Sequence, residues 1–217
     1  MPQDDFAALV TRWGLDAVRE KYPDLRLAPV SKGAPRIAGL LRFSADAAGY
    51  ERIDDEYEID ISIPSTFPSD LPSVREIGGR IAISYGHRNR DGTVCLGSPT
   101  SLRLRISDRS PLLTFLERCI IPTLYGYSYF ERHGVLPFGE LKHGVDGLRE
   151  DLASLFGVES EEAAVDFVRL TSLRKRIANK KPCACHSGKR LGRCHHRRVN
   201  RLRETLQRRW FRRMLTR

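Results

Sequence analysis

The segment Tyr85–Leu96 reads Tyr-Gly-His-Arg-Asn-Arg-Asp-Gly-Thr-Val-Cys-Leu, and it indicates both the fold and the chemistry of this chain. A cysteine is a nucleophile only as its thiolate, which nearby positive charge favours. Arg88 and Arg90 bring that charge close to Cys95, and Asn89 supplies an amide donor of the kind that stabilises an acyl-transfer oxyanion. The Asp-Gly turn places the cysteine at the rim of a loop. We predict a nucleophilic Cys95; the alternative is a small core hydrophobe, the usual role of a free cysteine.

A helix and several antiparallel strands are predicted ahead of this segment. Residues 4–22 carry apolar side chains at helical spacing until Pro23. Tyr57–Ile63 alternates apolar and polar residues, which is typical of a strand with one buried face. Shorter strands are predicted at 37–43, 74–77 and 81–83, and the prolines of 64–72 indicate a rigid crossing.

This order of elements, together with the cysteine loop, resembles the ubiquitin-conjugating enzymes, whose pattern is His-Pro-Asn followed by Gly-x-Ile/Val-Cys-Leu. The matching residues are His87, Asn89, Gly92, Val94, Cys95 and Leu96. Arg88 replaces the family's proline, and the interval from Asn to Cys is two residues shorter. The turn Phe67-Pro68-x-x-x-Pro72 is similar to the family's Tyr-Pro-x-x-Pro-Pro turn.

The resemblance covers residues 4–156 and implies an α+β, UBC-like fold with an N-terminal helix, an antiparallel β-meander and C-terminal helices. It also implies a thioester on Cys95, an oxyanion steadied by Asn89 and a loop braced by His87. The segment 136–144 resembles a stretch of the bacterial members. There His143, and less plausibly His133, could assist proton transfer; the alternative is a structural histidine.

After the cysteine loop the sequence predicts helices. Ser110-Pro111 is a typical helix start, Cys119 falls on the inward face, and Pro122 should end or kink that helix. The aromatic run 125–130 either lines a partner groove or is ordinary core and surface. Two further helices are predicted at 146–156 and 160–178.

The charge of the 217-residue chain is unevenly distributed. The net charge is +10, but residues 169–217 hold 18 Lys and Arg against one acid, a net +17, while the other 168 residues hold 19 bases and 26 acids, a net −7. An acidic start, Met1–Asp5, predicts no signal peptide, and the longest uncharged apolar stretch, 119–130, is too short to span a bilayer. We therefore expect a soluble cytoplasmic protein, whose five cysteines are catalytic or metal-binding.

The spacing Cys-x-Cys-x8-Cys-His within residues 182–195 is typical of a structural zinc site. The predicted ligands are Cys183, Cys185, Cys194 and His195. His186 and His196 are alternatives for the fourth ligand. The segment is similar to the SEC-C zinc motif, Cys-x-Cys-x8-Cys-Cys/His with Gly-Lys in the loop. The alternative is three solvated, reduced cysteines.

Beyond this motif the sequence predicts a basic amphipathic helix. Its apolar face comprises Val199, Leu202, Leu206, Trp210 and Met214. Such a helix binds an acidic partner, nucleic acid or an anionic membrane surface, or it packs on the chain's own acidic body. We predict a UBC-like catalytic domain at 1–156, a helical linker at 157–181 and a zinc motif with the basic helix at 182–217.

The functional hypothesis is a ubiquitin-conjugating-like acyl carrier. Cys95 would form a thioester with the C-terminal glycine of a partner protein and pass it to a protein acceptor. The chain has no ATP-binding signature, so a separate activating enzyme or an already reactive donor is needed. The resemblance to bacterial members of the ubiquitin-conjugating family implies antiphage (CBASS) signalling, with a cGAS-like nucleotidyltransferase as the conjugated protein. The alternatives are a non-catalytic adaptor whose zinc tail binds protein or RNA, and a cysteine peptidase or deconjugase using Cys95 and His143.

Overall fold

The computed structural model describes residues 8, 11–31, 34–82, 86–106, 110–137 and 144–216. The protein is α+β and divides into two compact units, Met1–Glu140 and Leu141–Arg217. The elements of the first unit are α1 (Leu15–Lys21), β1 (Leu25–Ser31), β2 (Ala34–Ala45), β3 (Ile53–Ser62), β4 (Ser73–Glu76), α2 (Pro99–Arg105), α3 (Pro111–Phe115) and α4 (Ile121–His133). Those of the second unit are α5 (Gly144–Phe156), α6 (Glu161–Ser172), α7 (Lys175–Ala178) and α8 (His196–Met214).

The first unit is built on a four-stranded antiparallel meander in the order β1-β2-β3-β4. The alternating segment predicted from Tyr57 is confirmed as part of β3, in which Tyr57, Ile59 and Ile61 are buried. Asp60 was expected on the solvated face, yet it is 8% exposed because Arg36 on β2 hydrogen-bonds its carboxylate at 3.0 Å. The sequence alternation predicted that this carboxylate faces solvent, and the ion pair with the neighbouring strand stabilises it in its buried position.

The N-terminal helix predicted at 4–22 is interrupted where it is described. Residues 11–13 are helical, Gly14 has a left-handed backbone with φ of 68°, and α1 begins at Leu15 and ends at Lys21. Glycine adopts this conformation at little steric cost. Trp13, Leu15 and Val18 are buried on both sides of the turn. The remaining part of the prediction, residues 4–7, 9 and 10, lies outside the described residues.

The long helical segment after the cysteine loop continues past Pro122. A π-helical turn, Leu116–Ile120, separates α3 from α4, and the Ile121 N–H donates to the Leu116 carbonyl. Pro122 therefore falls in the first turn of α4, a position where proline is common. We predicted an end or a kink at this proline; the backbone changes its hydrogen-bond pattern there and remains helical to His133.

The aromatic run on α4 belongs mainly to the core. Tyr125 and Tyr127 are buried, and Ser128 lies 2.8 Å from the Tyr57 hydroxyl of β3. Phe130 is 37% exposed and is an ordinary surface residue. This arrangement supports the core interpretation of the run over a partner groove.

Helices α5, α6 and α8 form the core of the second unit. The Phe156 ring stacks on Phe167 with centroids 5.1 Å apart, and Phe211 lies 6.5 Å from Phe156. We predicted that the first domain reached residue 156 and that 157–181 was a linker. The structure instead places α5 against α6 within this unit. Because α6 buries Phe167 and its neighbours, it is a packed element and not a spacer.

Two arginines of α8 bind the ends of the neighbouring helices. Arg198 donates to the carbonyls of Ser154 at 2.9 Å and Leu155 at 2.7 Å, in the last turn of α5. Arg203 donates in the same way to carbonyls in the last turn of α6, at 2.7 and 3.0 Å. A cation at a helix C-terminus satisfies unpaired carbonyls and complements the helix dipole. These arginines therefore hold the three helices together.

The predicted apolar face of α8 is only partly correct. Val199, Leu202 and Leu206 are buried, but the next buried residue is Phe211, and Trp210 is half-buried. Gln207 has a non-helical backbone with φ of 58° and ψ of 158°. This break changes the rotational phase of the helix, so a strict helical repeat fails beyond it.

Gly39 on β2 gives a test of the sheet. A Cβ atom there would overlap the Asp24 carbonyl oxygen, and the φ of Gly39 is 143°. We expect Gly39→Ala to lower the free energy of unfolding by about 2–4 kcal/mol in urea denaturation. The matched control is Gly126→Ala, where no atom outside the adjacent residues and the nearby backbone of the same helix lies within 4 Å of the added methyl group. Because alanine favours helix, this control should gain up to about 1 kcal/mol; equal effects of the two substitutions would contradict the close approach at Gly39.

Candidate active site and metal centre

The cysteine loop is a short hairpin closed by backbone hydrogen bonds. The Cys95 N–H donates to the His87 carbonyl at 2.7 Å, and the Gly92 N–H donates to the Asn89 carbonyl at 2.9 Å. Gly92 has φ of 82°, a conformation that glycine adopts readily at such a turn. The predicted loop is thus an ordered turn, and the His87 backbone braces Cys95.

The hairpin is attached to the edge of the sheet. Val94, which pairs with Arg88 across the hairpin, donates its N–H to the Val74 carbonyl on β4 at 2.7 Å. Val94 is only 6% exposed, so its side chain anchors the hairpin in the core. The Arg88 guanidinium donates to the Ile81 carbonyl at 2.6 Å. Arg88 was expected to act on the thiolate, and in the structure it holds the loop.

Polar contacts inside the hairpin orient Asn89. The Asp91 carboxylate accepts the Thr93 hydroxyl at 2.6 Å and the Thr93 N–H at 3.0 Å, and these hydrogen bonds lower the pKa of Asp91 below its usual range. The Thr93 oxygen in turn accepts one N–H of the Asn89 amide at 2.9 Å. Sequence reasoning missed Thr93 and this use of Asp91. The signal was the Asp-Gly-Thr sequence, because aspartate commonly accepts the N–H two residues ahead.

Cys95 is the more accessible cysteine of the first unit. It is partly exposed, whereas Cys119 is 1% exposed on the π-helical turn. Burial raises the pKa of the Cys119 thiol to about 11. Core placement, which we predicted for Cys119, is confirmed, and the same placement is not found for Cys95. Ser98, three residues after Cys95, is the N-cap of α2, and its hydroxyl accepts the Ser101 N–H at 3.2 Å.

The two histidines proposed as proton-transfer groups have different outcomes. His143 lies outside the described residues, so its role stays a prediction. His133, in the last turn of α4, has its Nε2 atom 3.1 Å from the Glu51 carboxylate and its ring 4.2 Å from the Tyr129 ring. The hydrogen bond to His133 lowers the pKa of Glu51. His133 therefore has a structural partner on the surface of the first unit.

The second constellation brings four ligand atoms together. The cluster consists of Cys183, Cys185, Cys194 and His195, and its ligand atoms all lie within 4.8 Å of one another. The Nδ1 atom of His195 is 3.4 Å from the Cys183 sulfur and 3.2 Å from the Cys194 sulfur. Such a group could hold one metal ion. Among the described residues His195 belongs to this cluster, and neither His186 nor His196 does.

Backbone hydrogen bonds and a glycine turn shape the loop of residues 183–195 that carries the four ligands, here called the metal loop. The Cys183 N–H donates to the Lys189 carbonyl at 2.8 Å, and Gly188 has φ of 72°. Burial raises the pKa of Cys183 to about 11, opposed by backbone N–H groups of Cys185 and His195 that bond its sulfur. Partial burial also opposes ionisation of Cys185, but hydrogen bonds from Ser187 and the neighbouring thiols lower its pKa to about 6.

A residue outside the loop orients the imidazole of the cluster. The Phe167 ring on α6 packs edge-on against the His195 ring, with centroids 5.1 Å apart. The metal loop therefore contacts the helical core of the second unit directly. Sequence reasoning could not identify Phe167 here, because an apolar residue on a helical stripe gives no sign of which ring it meets.

Comparisons with known proteins do not identify a family for this chain. A scan against protein families, a search of curated proteins and a search of solved structures each found no match for this chain. Within the described ranges, every helix is too short or too polar to cross a membrane. The function must therefore be argued from the two sites themselves.

The difference in burial between the two cysteines of the first unit predicts their reactivity. At neutral pH, iodoacetamide should modify Cys95 at least about tenfold faster than Cys119, because a buried thiol with a raised pKa is rarely ionised or reachable. Peptide mass spectrometry after timed labelling measures both rates in one sample. Labelling in denaturant is the control and should modify the two cysteines alike. Equal rates in the folded protein would contradict the accessible position of Cys95.

Proposed function

We propose that the first unit is a ubiquitin-conjugating-like acyl carrier that forms a thioester on Cys95. One observation carries this proposal: Cys95 lies partly exposed on a hydrogen-bonded hairpin anchored to β4, while the other cysteine of the unit is buried. A nucleophile on a braced loop meets the positional demand of acyl transfer, which needs the reacting atoms held in a fixed geometry.

The order of elements supports the proposal. A helix, a four-stranded antiparallel meander, a proline-containing crossing, a cysteine hairpin and then further helices follow one another in the first unit. The resemblance to ubiquitin-conjugating enzymes implies this same order. The buried Phe67 anchors the crossing, against Phe115 at a centroid distance of 6.2 Å. A UBC-like fold is therefore part of the proposal.

The proposed reaction has two acyl transfers. The Cys95 thiolate attacks the carbonyl carbon of an activated C-terminal glycine, and the activating group leaves as the thioester forms. An acceptor amine then attacks that carbonyl, loses a proton to solvent or a base, and releases the Cys95 thiolate. One amide N–H of Asn89 is bonded to Thr93, and the second N–H is the one we propose for the oxyanion.

The donor and its activation are proposed from the sequence. The chain lacks an ATP-binding signature, so in this proposal the donor is activated by another enzyme or is already reactive. The bacterial relatives that the cysteine loop resembles favour a protein donor of the cGAS-like nucleotidyltransferase type, within CBASS antiphage signalling. The acceptor is a protein amine in this scheme.

We propose Zn²⁺ as the ion of the second unit. Tetrahedral Zn²⁺, with bonds of about 2.3 Å to sulfur and 2.0 Å to nitrogen, places its ligand atoms roughly 3.5–3.8 Å apart. Cys185 and Cys194 have their sulfur atoms 3.5 Å apart, which fits that spacing. Four protein ligands leave no position for a substrate or water, so the ion would hold the loop and take no part in chemistry.

A trapping experiment tests the acyl carrier. The full chain is incubated with its activating enzyme and a candidate donor, then run on a non-reducing gel. We expect an adduct that thiols remove, that Cys95→Ala abolishes, and that Cys95→Ser converts into a thiol-resistant ester.

The matched control is Cys119→Ala, which removes the other cysteine of the same unit and should leave the adduct unchanged. An adduct that persists in Cys95→Ala, or that is absent with every donor tested, would count against the carrier and favour an adaptor. Release of a free C-terminus from a conjugate by the purified chain alone would favour a deconjugase.

Metal analysis tests the ion separately. We expect about one zinc per chain, reduced to background in the double variant Cys185→Ala/Cys194→Ala, because two remaining ligands bind zinc weakly. Cys95→Ala is the matched control and should retain the ion. A folded wild-type protein with no metal after growth in zinc-containing medium would overturn the assignment.

A further inference from the structure

The metal loop presents an open groove lined by cations. Gly188, Lys189, Arg190 and Arg193 surround a volume of about 520 Å³. The three bases are exposed, and within the part of the chain that the structure describes their side chains make no ion pair or hydrogen bond. Three positive groups that converge without an acidic side-chain partner attract an anionic partner.

The backbone segment that carries these three bases is fixed by hydrogen bonds. The Leu191 N–H donates to the Lys181 carbonyl at 2.9 Å, and the Arg193 N–H donates to the Arg190 carbonyl at 2.9 Å within the 3-10 turn Leu191–Arg193. Leu191 is fully buried and anchors that turn. The backbone that carries the three bases is therefore ordered, while their exposed side chains keep their rotamer freedom.

The arginines of α8 fall into two groups by what they contact. Arg198 and Arg203 cap neighbouring helices and are structural. Exposed arginines without a side-chain partner in the described residues continue the positive surface along the helix. They are Arg197, Arg201, Arg209 and Arg212. Between residues 169 and 217 the sequence holds only one acid, Glu204, and Zn²⁺ bound by three thiolates and a neutral imidazole would add one further negative charge, so this surface keeps a large net positive charge.

The composition of the surface favours nucleic acid over a protein partner. Cores of protein interfaces are poor in charged residues and rich in apolar anchors. In the described part of the second unit, only Ile177 and Leu215 are large, exposed hydrophobic residues. Arginine binds phosphate in a bidentate manner, and duplex DNA offers about one negative charge per 1.7 Å of its axis.

We infer that the metal loop and the exposed arginines of α8 bind the phosphate backbone of nucleic acid without reading its sequence. No Phe, Tyr or Trp lines the groove, and on α8 Phe211 is buried and Trp210 is half-buried, so the inference rests on phosphate contacts and not on base stacking. The inference is independent of the chemistry proposed for Cys95, since binding requires neither donor nor activating enzyme.

Fluorescence anisotropy of the metal-loaded full chain tests this inference. The probes are a fluorescein-labelled duplex DNA of mixed sequence, no longer than about three helical turns, and one of its single strands. We expect Lys189→Ala/Arg190→Ala/Arg193→Ala to raise Kd at least tenfold. The slope of log Kd against log salt for duplex should fall by about 2–3, at roughly 0.9 per lost phosphate contact.

The matched control removes three exposed bases from the first unit, Arg19→Ala/Arg26→Ala/Arg118→Ala, and should change Kd by less than threefold. Both triple variants lower the net charge equally, so a difference between them reports position and not total charge. The charge-retaining variant Lys189→Arg/Arg190→Lys/Arg193→Lys should bind within threefold of wild type. Zinc content and thermal unfolding of each variant establish that the loop remains folded.

Three outcomes would overturn the inference. The first is equal weakening by the two alanine triple variants, which would reduce the effect to net charge. The second is absence of binding to either probe at about 50 mM salt, where phosphate contacts are strongest. The third is complete displacement of the probe by poly-glutamate or by anionic phosphatidylserine vesicles at equal charge, which would identify an acidic protein or a membrane surface as the partner.

Discussion

The hydrogen bond from the Val94 N–H to the Val74 carbonyl joins the cysteine hairpin to the outermost strand of the meander. β4 pairs with β3 on one side, and this bond occupies part of its other side. An otherwise open strand edge thus becomes the support of the candidate nucleophile. The position of Cys95 depends on it, because Val94 is the residue immediately before the cysteine and is itself buried. The sheet is therefore the scaffold of the proposed chemistry.

The second unit solves a different physical problem, which is how to pack a chain that carries so much positive charge. Arg198 and Arg203 place their charges against the carbonyl ends of α5 and α6, where the helix dipole is negative. The remaining cations face solvent on the metal loop and along α8. The charge that the helix ends do not neutralise forms the surface for which we infer nucleic-acid binding. Stability and recognition in this unit thus draw on different members of one arginine-rich segment.

Sequence reasoning succeeded where one physical rule decides the outcome. The alternation in β3 follows from burial of one face of a strand, and the metal cluster follows from the ligand chemistry of thiolate and imidazole. It failed where tertiary partners decide. Nothing in an amphipathic pattern shows that α5 packs with α6, that Thr93 receives the Asn89 amide, or that Gln207 interrupts α8. The alternation also predicted that Asp60 faces solvent, but Asp60 is buried because it pairs with Arg36 on another strand.

The contact between Phe167 and His195 has a thermodynamic consequence. One imidazole ring belongs both to the ligand cluster and to the packed interior of the helices. If the proposed ion binds there and fixes one orientation of that ring, it also favours the helix arrangement that accepts the ring, and ion affinity would then be linked to helical order. A change in cellular ion supply would then alter the order of α6 as well as that of the metal loop.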